Sequence, residues 1–306
     1  MKNKEKYSSC PFLEFGLHIA SDGIRHCCYI SEHFIDQPYI PYDENEDFDD
    51  YILRFINQKK QIIEDNKNGI KTLCTNCPNL REGYWETDKK IKLLHFALDH
   101  CCNIKCKYCI RESFTDHRRE NKTELIDMIN KVKTCKNIHT EYPINYTSGE
   151  ISFQPNVNDI ITNLQEFNLN IYSNATSYHQ VILNVIKRPL NCMIVNFDCG
   201  TKETYKKIKN ADMFDIVCRN IEEYSKNGGN LILKYIILEE NSGDKDIDGF
   251  IDICVKNKVV GIVISRDLRI FQPDDKVKNT AIKLRYRALK NHIRIIDSNL
   301  SEFLCK

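Results

Sequence analysis

The chain has no apolar run near the ~18 residues that a membrane span needs. Its start, MKNKEKYSSC, carries basic residues but no apolar stretch behind them, so no secretory signal is expected. It has no low-complexity tract, and it has no excess of charge. Its 44 Lys and Arg stand against 43 Asp and Glu, a formal net charge of +1. That balance gives no electrostatic reason for nucleic acid or an anionic membrane as a partner. The expected location is cytoplasmic. What the sequence does have is cysteine, 15 in 306 residues. Without export a disulfide scaffold is not expected, and metal binding becomes the leading explanation.

Two regions differ in character. Residues 1–88 carry Cys10, the pair Cys27–Cys28 and Cys74-x2-Cys77, with an acidic stretch from Asp43 to Asp50 leading into a helical pattern up to about Asn66. Carboxylates there suit a solvated helix start. In residues 89–306 short apolar runs alternate with amphipathic segments. The strands are predicted at Leu93–Leu98, Ile144–Thr147, Asn170–Ser173, Cys192–Asp198, Leu231–Leu238 and Val259–Ser265. Helices are predicted at Thr123–Val132, Val157–Phe167, Tyr178–Ile186, Thr204–Lys226 and Asp248–Lys256, with a last one at Val277–Leu289. Alternating strands and helices mean right-handed crossovers and a parallel sheet, here an α/β partial (β/α)6 TIM barrel. The basic tail, Lys276 to Arg294, reads as a solvated helix face.

The most informative segment follows the first of these strands. A polar loop carries Cys102-x3-Cys106-x2-Cys109, with Tyr108 just before the third cysteine. Thiolates hold iron–sulfur clusters, and three of them leave one iron of a [4Fe–4S] cube open to something other than protein. A zinc site would need a fourth ligand, which Cys101 or His100 could supply. The loop resembles the hallmark of the radical S-adenosylmethionine (SAM) superfamily. The resemblance implies that SAM chelates the open iron. It also implies that an electron from the cluster cleaves SAM to methionine and a 5′-deoxyadenosyl radical.

In β/α barrels the site lies at the C-terminal ends of the strands. Tyr146-Thr-Ser148-Gly149-Glu150 is similar to the superfamily's Gly-Gly-Glu motif, with Ser148 in place of the first Gly, and implies a SAM ammonium site. Ser173-Asn174-Ala175 resembles its Thr-Asn-Gly turn. Asn196-Phe-Asp198 resembles its Ser-x-Asp-Gly segment and implies that Asn196 lies near SAM and that Asp198 takes a catalytic part. Glu239-Glu-Asn241 and Arg266-Asp267 close the remaining strands, and all these turns also suit helix caps. The N-terminal cysteines resemble a SPASM/twitch module, displaced to precede the barrel. That implies an auxiliary [4Fe–4S] cluster on Cys10, Cys28, Cys74 and Cys77, with Cys27 a substitute for Cys28. A four-Cys zinc ribbon has the same ligand set. Cys135, Cys192, Cys218 and Cys254 read as buried core, and Cys305 as a tail residue.

The function expected is a radical SAM oxidoreductase or related enzyme that takes a hydrogen atom from a peptide side chain or a small molecule such as a sugar. The auxiliary cluster would assist electron transfer, and a flavodoxin or ferredoxin would act as external donor. The alternative is a zinc-binding scaffold without catalysis.

Overall fold

A computed structural model of the chain describes residues 4–20, 23–27, 40–43, 45–77, 79–86, 90–97, 101–109, 122–139, 142–147, 149–267, 269–270 and 274–296. Cys28, Ser148, His100 and Cys305 lie outside the described residues. The elements from the N-terminus are β1 (Lys4–Ser9), α1 (Pro11–Phe15), β2 (Gly16–Ala20), β3 (Gly23–Arg25), α2 (Phe48–Lys67), β4 (Arg81–Glu86), β5 (Leu93–Ala97), α3 (Lys122–Thr134) and β6 (Ile144–Tyr146). After a single 3-10 turn, Ile151–Phe153, come α4 (Val157–Leu164), β7 (Leu169–Ser173), α5 (Gln180–Ile186), β8 (Cys192–Asn196), α6 (Lys202–Lys209) and α7 (Phe214–Lys226). The chain continues with β9 (Leu231–Ile237), α8 (Asp244–Lys256), β10 (Gly261–Arg266), α9 (Asp275–Lys290) and β11 (Ile295–Ile296).

The chain forms two compact units. The first holds Met1–Asp99, Glu120–Tyr146 and Glu166–Asn168. In it β1 and β4 form an antiparallel ribbon, Lys4 opposite Glu86. β2 and β3 pair antiparallel, with Ala20 opposite Gly23. β2 then runs parallel to β5, Gly16 opposite Leu93, and β5 runs parallel to β6. The N-terminal region therefore shares a sheet with the first predicted barrel strand. Asp47 caps α2, accepting from Asp49 N at 2.9 Å and Asp50 N at 3.3 Å, which is the helix start that the acidic stretch foretold. The buried stripe of α2 is Phe48, Tyr51, Ile52, Phe55, Ile56, Lys59 and Ile63. All but one of these seven positions are apolar.

The second unit holds His100–Arg119, Thr147–Gln165 and Leu169–Lys306. There β7 to β11 pair parallel in sequential order. The six predicted strands are β5 to β10, each within one or two residues. The fold is α/β with a mostly parallel sheet, consistent with the partial barrel. Three expectations are corrected. The helix over Thr204–Lys226 is two helices, because Asn210 takes the left-handed conformation (φ 50°) that ends α6. Helix α8 begins at Asp244, four residues early, after Gly243 at its N-cap. Cys218 is half-buried, whereas Cys135, Cys192 and Cys254 are buried. No helix among the described residues is long and apolar enough to cross a membrane.

Candidate active site

The cysteine loop is held by its backbone. Lys107 N donates to Ile208 O at 2.7 Å at the end of α6, and Asn210 Nδ2 donates to Lys105 O at 2.7 Å. Cys109 N donates to Cys106 O at 2.9 Å, which turns the last two cysteines together. Cys102 is exposed, while Cys106 and Cys109 are half-buried. Burial raises the Cys106 thiol against the pull of the Lys209 ammonium.

The turn at Gly149–Glu150 lies against this loop. Glu150 N donates to Cys101 O at 2.8 Å. A Cβ on Gly149 would stand 2.0 Å from Cys101 O, so the backbones meet where only glycine fits. Glu150 is 1% exposed. Its Oε1 accepts from Ser152 N (2.9 Å), Ser152 Oγ (2.6 Å) and Ser173 Oγ (2.7 Å), while Oε2 accepts from Asn174 N at 2.5 Å. Asn174 Nδ2 stands 3.8 Å from Cys102 Sγ and donates to Asn103 Oδ1 at 2.9 Å. Gly149, Glu150, Asn174 and Cys102, singled out in sequence at three places, thus form one connected group.

A second group lies under Tyr108. Its hydroxyl donates to Asp198 Oδ2 at 2.5 Å. Lys209 Nζ donates to the same carboxylate oxygen at 2.5 Å, to Tyr108 Oη at 2.7 Å and to Asn196 O at 2.6 Å. The Lys209 and Asp198 side chains are 1% and 0% exposed. Burial alone would lower the lysine's pKa, but Asp198 and Cys106 outweigh it and hold the ammonium above its ordinary value. Asp198 Oδ1 accepts from Ile236 N at 2.7 Å, so both oxygens are committed to protein donors. The residue sits at φ 63°, a conformation Asp tolerates better than most.

On the neighbouring strand Lys234 is in register with Asn196. Its ammonium lies 5.9 Å from the Tyr172 ring centre and has no hydrogen-bond acceptor among the described residues. Burial pushes it below the ordinary lysine value, Asp198 pulls it back and Lys209 opposes it again. Asn196 Oδ1 is also buried, without a hydrogen-bond partner among the described residues. Three thiols on a fixed loop, a buried cation near Cys106 and an orphaned acceptor fit a cofactor that brings iron and polar groups of its own. Among the described residues, no three Cys, His, Asp or Glu side chains stand close enough to share a single metal ion. A cube spreads its thiolates over separate irons.

The profile of the radical SAM superfamily matches residues 99–252, half of the chain. The chain belongs to the radical SAM superfamily. It is therefore an enzyme that uses a [4Fe–4S] cluster and SAM, which sets aside the alternative of an inactive zinc scaffold. A GTP 3′,8-cyclase from Clostridium perfringens (strain SM101 / Type A) is 22% identical over 228 residues, 68% of this chain and 70% of that one. The structure of Streptococcus suis SuiB bound to precursor peptide SuiA superposes with a TM-score of 0.58, covering 98% of this chain and 74% of that one at 11% identity. The chain spans about half, 56%, of another SuiB structure. Native anSMEcpe with bound AdoMet gives a TM-score of 0.52 at 13% identity, covering 70% of this chain and 67% of that one. At these identities the structural likeness speaks for the fold alone.

This radical SAM enzyme carries a second set of thiols in its first unit. Cys10 caps α1, its Sγ accepting from Leu13 N at 3.4 Å. It packs with Leu13, Ile63 and Cys74 in one buried cluster. Cys77 N donates to Cys74 O at 3.0 Å. Burial raises the thiol of Cys10, and it pushes Cys74 up to about 12.

Sequence reasoning missed Lys209 and Lys234 as site residues. Lys209 closes a run, Lys202 to Lys209, that reads as a solvated face, yet it stands four residues after the buried Tyr205. Lys234 is the only charged residue in the strand Leu231–Ile237, and that isolation was its signal.

Proposed function

We propose that Cys102, Cys106 and Cys109 hold the SAM-cleaving [4Fe–4S] cluster, with Gly149, Glu150, Asn174 and Asn196 around SAM. The observation that carries this reading is the connected group from Cys102 Sγ through Asn174 to the Glu150 carboxylate. The cluster and SAM supply, when bound, a 5′-deoxyadenosyl radical that takes a hydrogen atom from an unactivated carbon. The chain's own residues position and orient. Glu150 Oε2, with one protein donor, keeps acceptor capacity for the SAM ammonium. Asn196 Oδ1 is available to a ribose hydroxyl. Tyr108 packs against Ile208, Ile236 and Leu238 and is pinned by Asp198 and Lys209, which fixes the loop between Cys106 and Cys109. Asp198, buried and fully bonded, is a positioning residue in this reading.

The substrate in this reading is a peptide side chain or a small molecule. The Lys234 ammonium, which no acceptor among the described residues bonds, favours one that bears an anionic group. That suits an acidic peptide, in keeping with the precursor peptide on SuiB, and equally a nucleotide such as the GTP in the cyclase's name. Residues 1–88 serve as an auxiliary-cluster module and residues 89–306 as the barrel. A flavodoxin or ferredoxin supplies the electron.

Paired variants test the two-site scheme. Changing Cys106 and Cys109 to Ala is expected to abolish 5′-deoxyadenosine formation while about half the iron stays. Changing Cys74 and Cys77 to Ala is expected to remove the other half, leave SAM cleavage and stop substrate turnover. A folded Cys74/Cys77 variant with unchanged iron would sink the scheme.

A further inference from the structure

Lys59 occupies a place where the periodicity of α2 calls for an apolar residue. It stands four residues after Phe55 and four before Ile63, both buried. It is itself 2% exposed. Its ammonium donates to Phe12 O at 2.6 Å and to Gly16 O, and it lies 5.0 Å from the centre of the Phe55 ring. An ammonium has three N–H donors, and no third acceptor is present among the described residues. Two carbonyls offer partial charges only, and a cation stripped of water needs an anion to offset it. The buried Glu14 carboxylate, which accepts from Tyr7 Oη at 3.0 and 3.1 Å, carries a charge that acts on Lys59 as well. The other groups that act on it are sulfur, and Cys10 and Cys27 act more strongly than Glu14. Cys10, Cys27 and Cys74 lie near enough for their charge to act on Lys59, and Cys77 acts in turn on Cys74. A protonated thiol would add nothing to that, whereas a metal-bound thiolate carries a full negative charge.

We propose that Lys59 is the built-in counter-ion of a [4Fe–4S] centre whose four ligands are Cys10, Cys27, Cys74 and Cys77. The inference rests on the N-terminal cluster reading above and deepens it, by naming the fourth ligand and the charge partner. Four thiolates outweigh the charge of the cube's core, and a single fixed cation beside them favours the reduced state.

The test uses the full chain with Cys102, Cys106 and Cys109 changed to Ala, reconstituted anaerobically with ferrous iron and sulfide. Iron and zinc per chain, iron retention against a chelator and the midpoint potential are then measured. Cys27→Ser is expected to lose the iron and Cys28→Ser to keep it. Lys59→Gln, which can still donate to a carbonyl, is expected to weaken retention by about 10–100-fold and to lower the potential. Lys59→Arg is expected to restore both. A merely structural lysine would leave the potential of the loaded centre unmoved. Should Lys59→Gln fail to fold, Lys59→Arg and the Cys27/Cys28 pair still decide. Parent-like retention and potential in Lys59→Gln overturn the counter-ion. So does a folded Lys59→Arg chain that fails to bind iron. Loss of iron in Cys28→Ser but not in Cys27→Ser overturns the ligand set, and stoichiometric zinc overturns the cluster. A parent chain with neither metal overturns the underlying reading as well.

Discussion

Lys209 ties the cysteine loop to the strand end by three hydrogen bonds from one buried ammonium, to Asp198, Tyr108 and the Asn196 carbonyl. Taking two such charges out of water is expensive, and removing one partner strands the other. Lys209→Met is therefore expected to cost ~3–5 kcal/mol of stability. Adding Asp198→Asn should recover much of that loss, since no bare carboxylate then remains and Asn also accepts the left-handed backbone at this position. Denaturant unfolding of the two single variants and the double variant checks the coupling. Additive losses would show that the pair is not a pair.

Turns and strands carry the next level. The Gly149 turn and the cysteine loop touch backbone to backbone, so Gly149→Ala must displace Cys101 rather than a side chain. The expected result is a folded protein that loses the iron held by the Cys102 loop and keeps the rest; unchanged iron would contradict it. Strand β5 carries a different signature. His95 bonds to Asn145 at 3.2 Å across the pair with β6, and burial pushes its pKa down to about 4. In the unfolded chain the imidazole takes a proton near 6.5. Above that value both states are neutral and stability is whole. As pH falls from there towards 4 only the unfolded chain is protonated, so stability is lost, by about 2 kcal/mol between pH 7 and pH 5. Unfolding His95→Gln at both pH values should show a flatter dependence than the parent, and equal slopes would refute the burial account.

At the same scale the sequence was most legible where periodicity is local. The alternation of β5 to β10 with their helices, the cap at Asp47 and the hairpin at Gly23 all follow from short-range rules. The break at Asn210 was missed although Asn is one of the residues that take the left-handed position at a helix end; its side chain also donates to Lys105 O, far away in sequence. Lys59 and Lys209 were hidden because their partners are distant in sequence. Lysine in a helix reads as solvent-facing unless its partners are known, and those partners come from other elements. The pairing of β2 with β5 is likewise a long-range fact that composition could not disclose.

For the whole molecule, the account requires that the loop Cys102–Cys109 of this radical SAM enzyme be where SAM is split, and that the thiols around Lys59 lack an open iron. The most direct measurement is 5′-deoxyadenosine formed by anaerobically reconstituted chain after dithionite addition, for the parent and for the Cys106/Cys109 double Ala variant. The account predicts product from the parent and none above the no-enzyme control from the variant, although the variant keeps about half the iron. Product from the double variant, or none from a parent with both clusters in place, would contradict it.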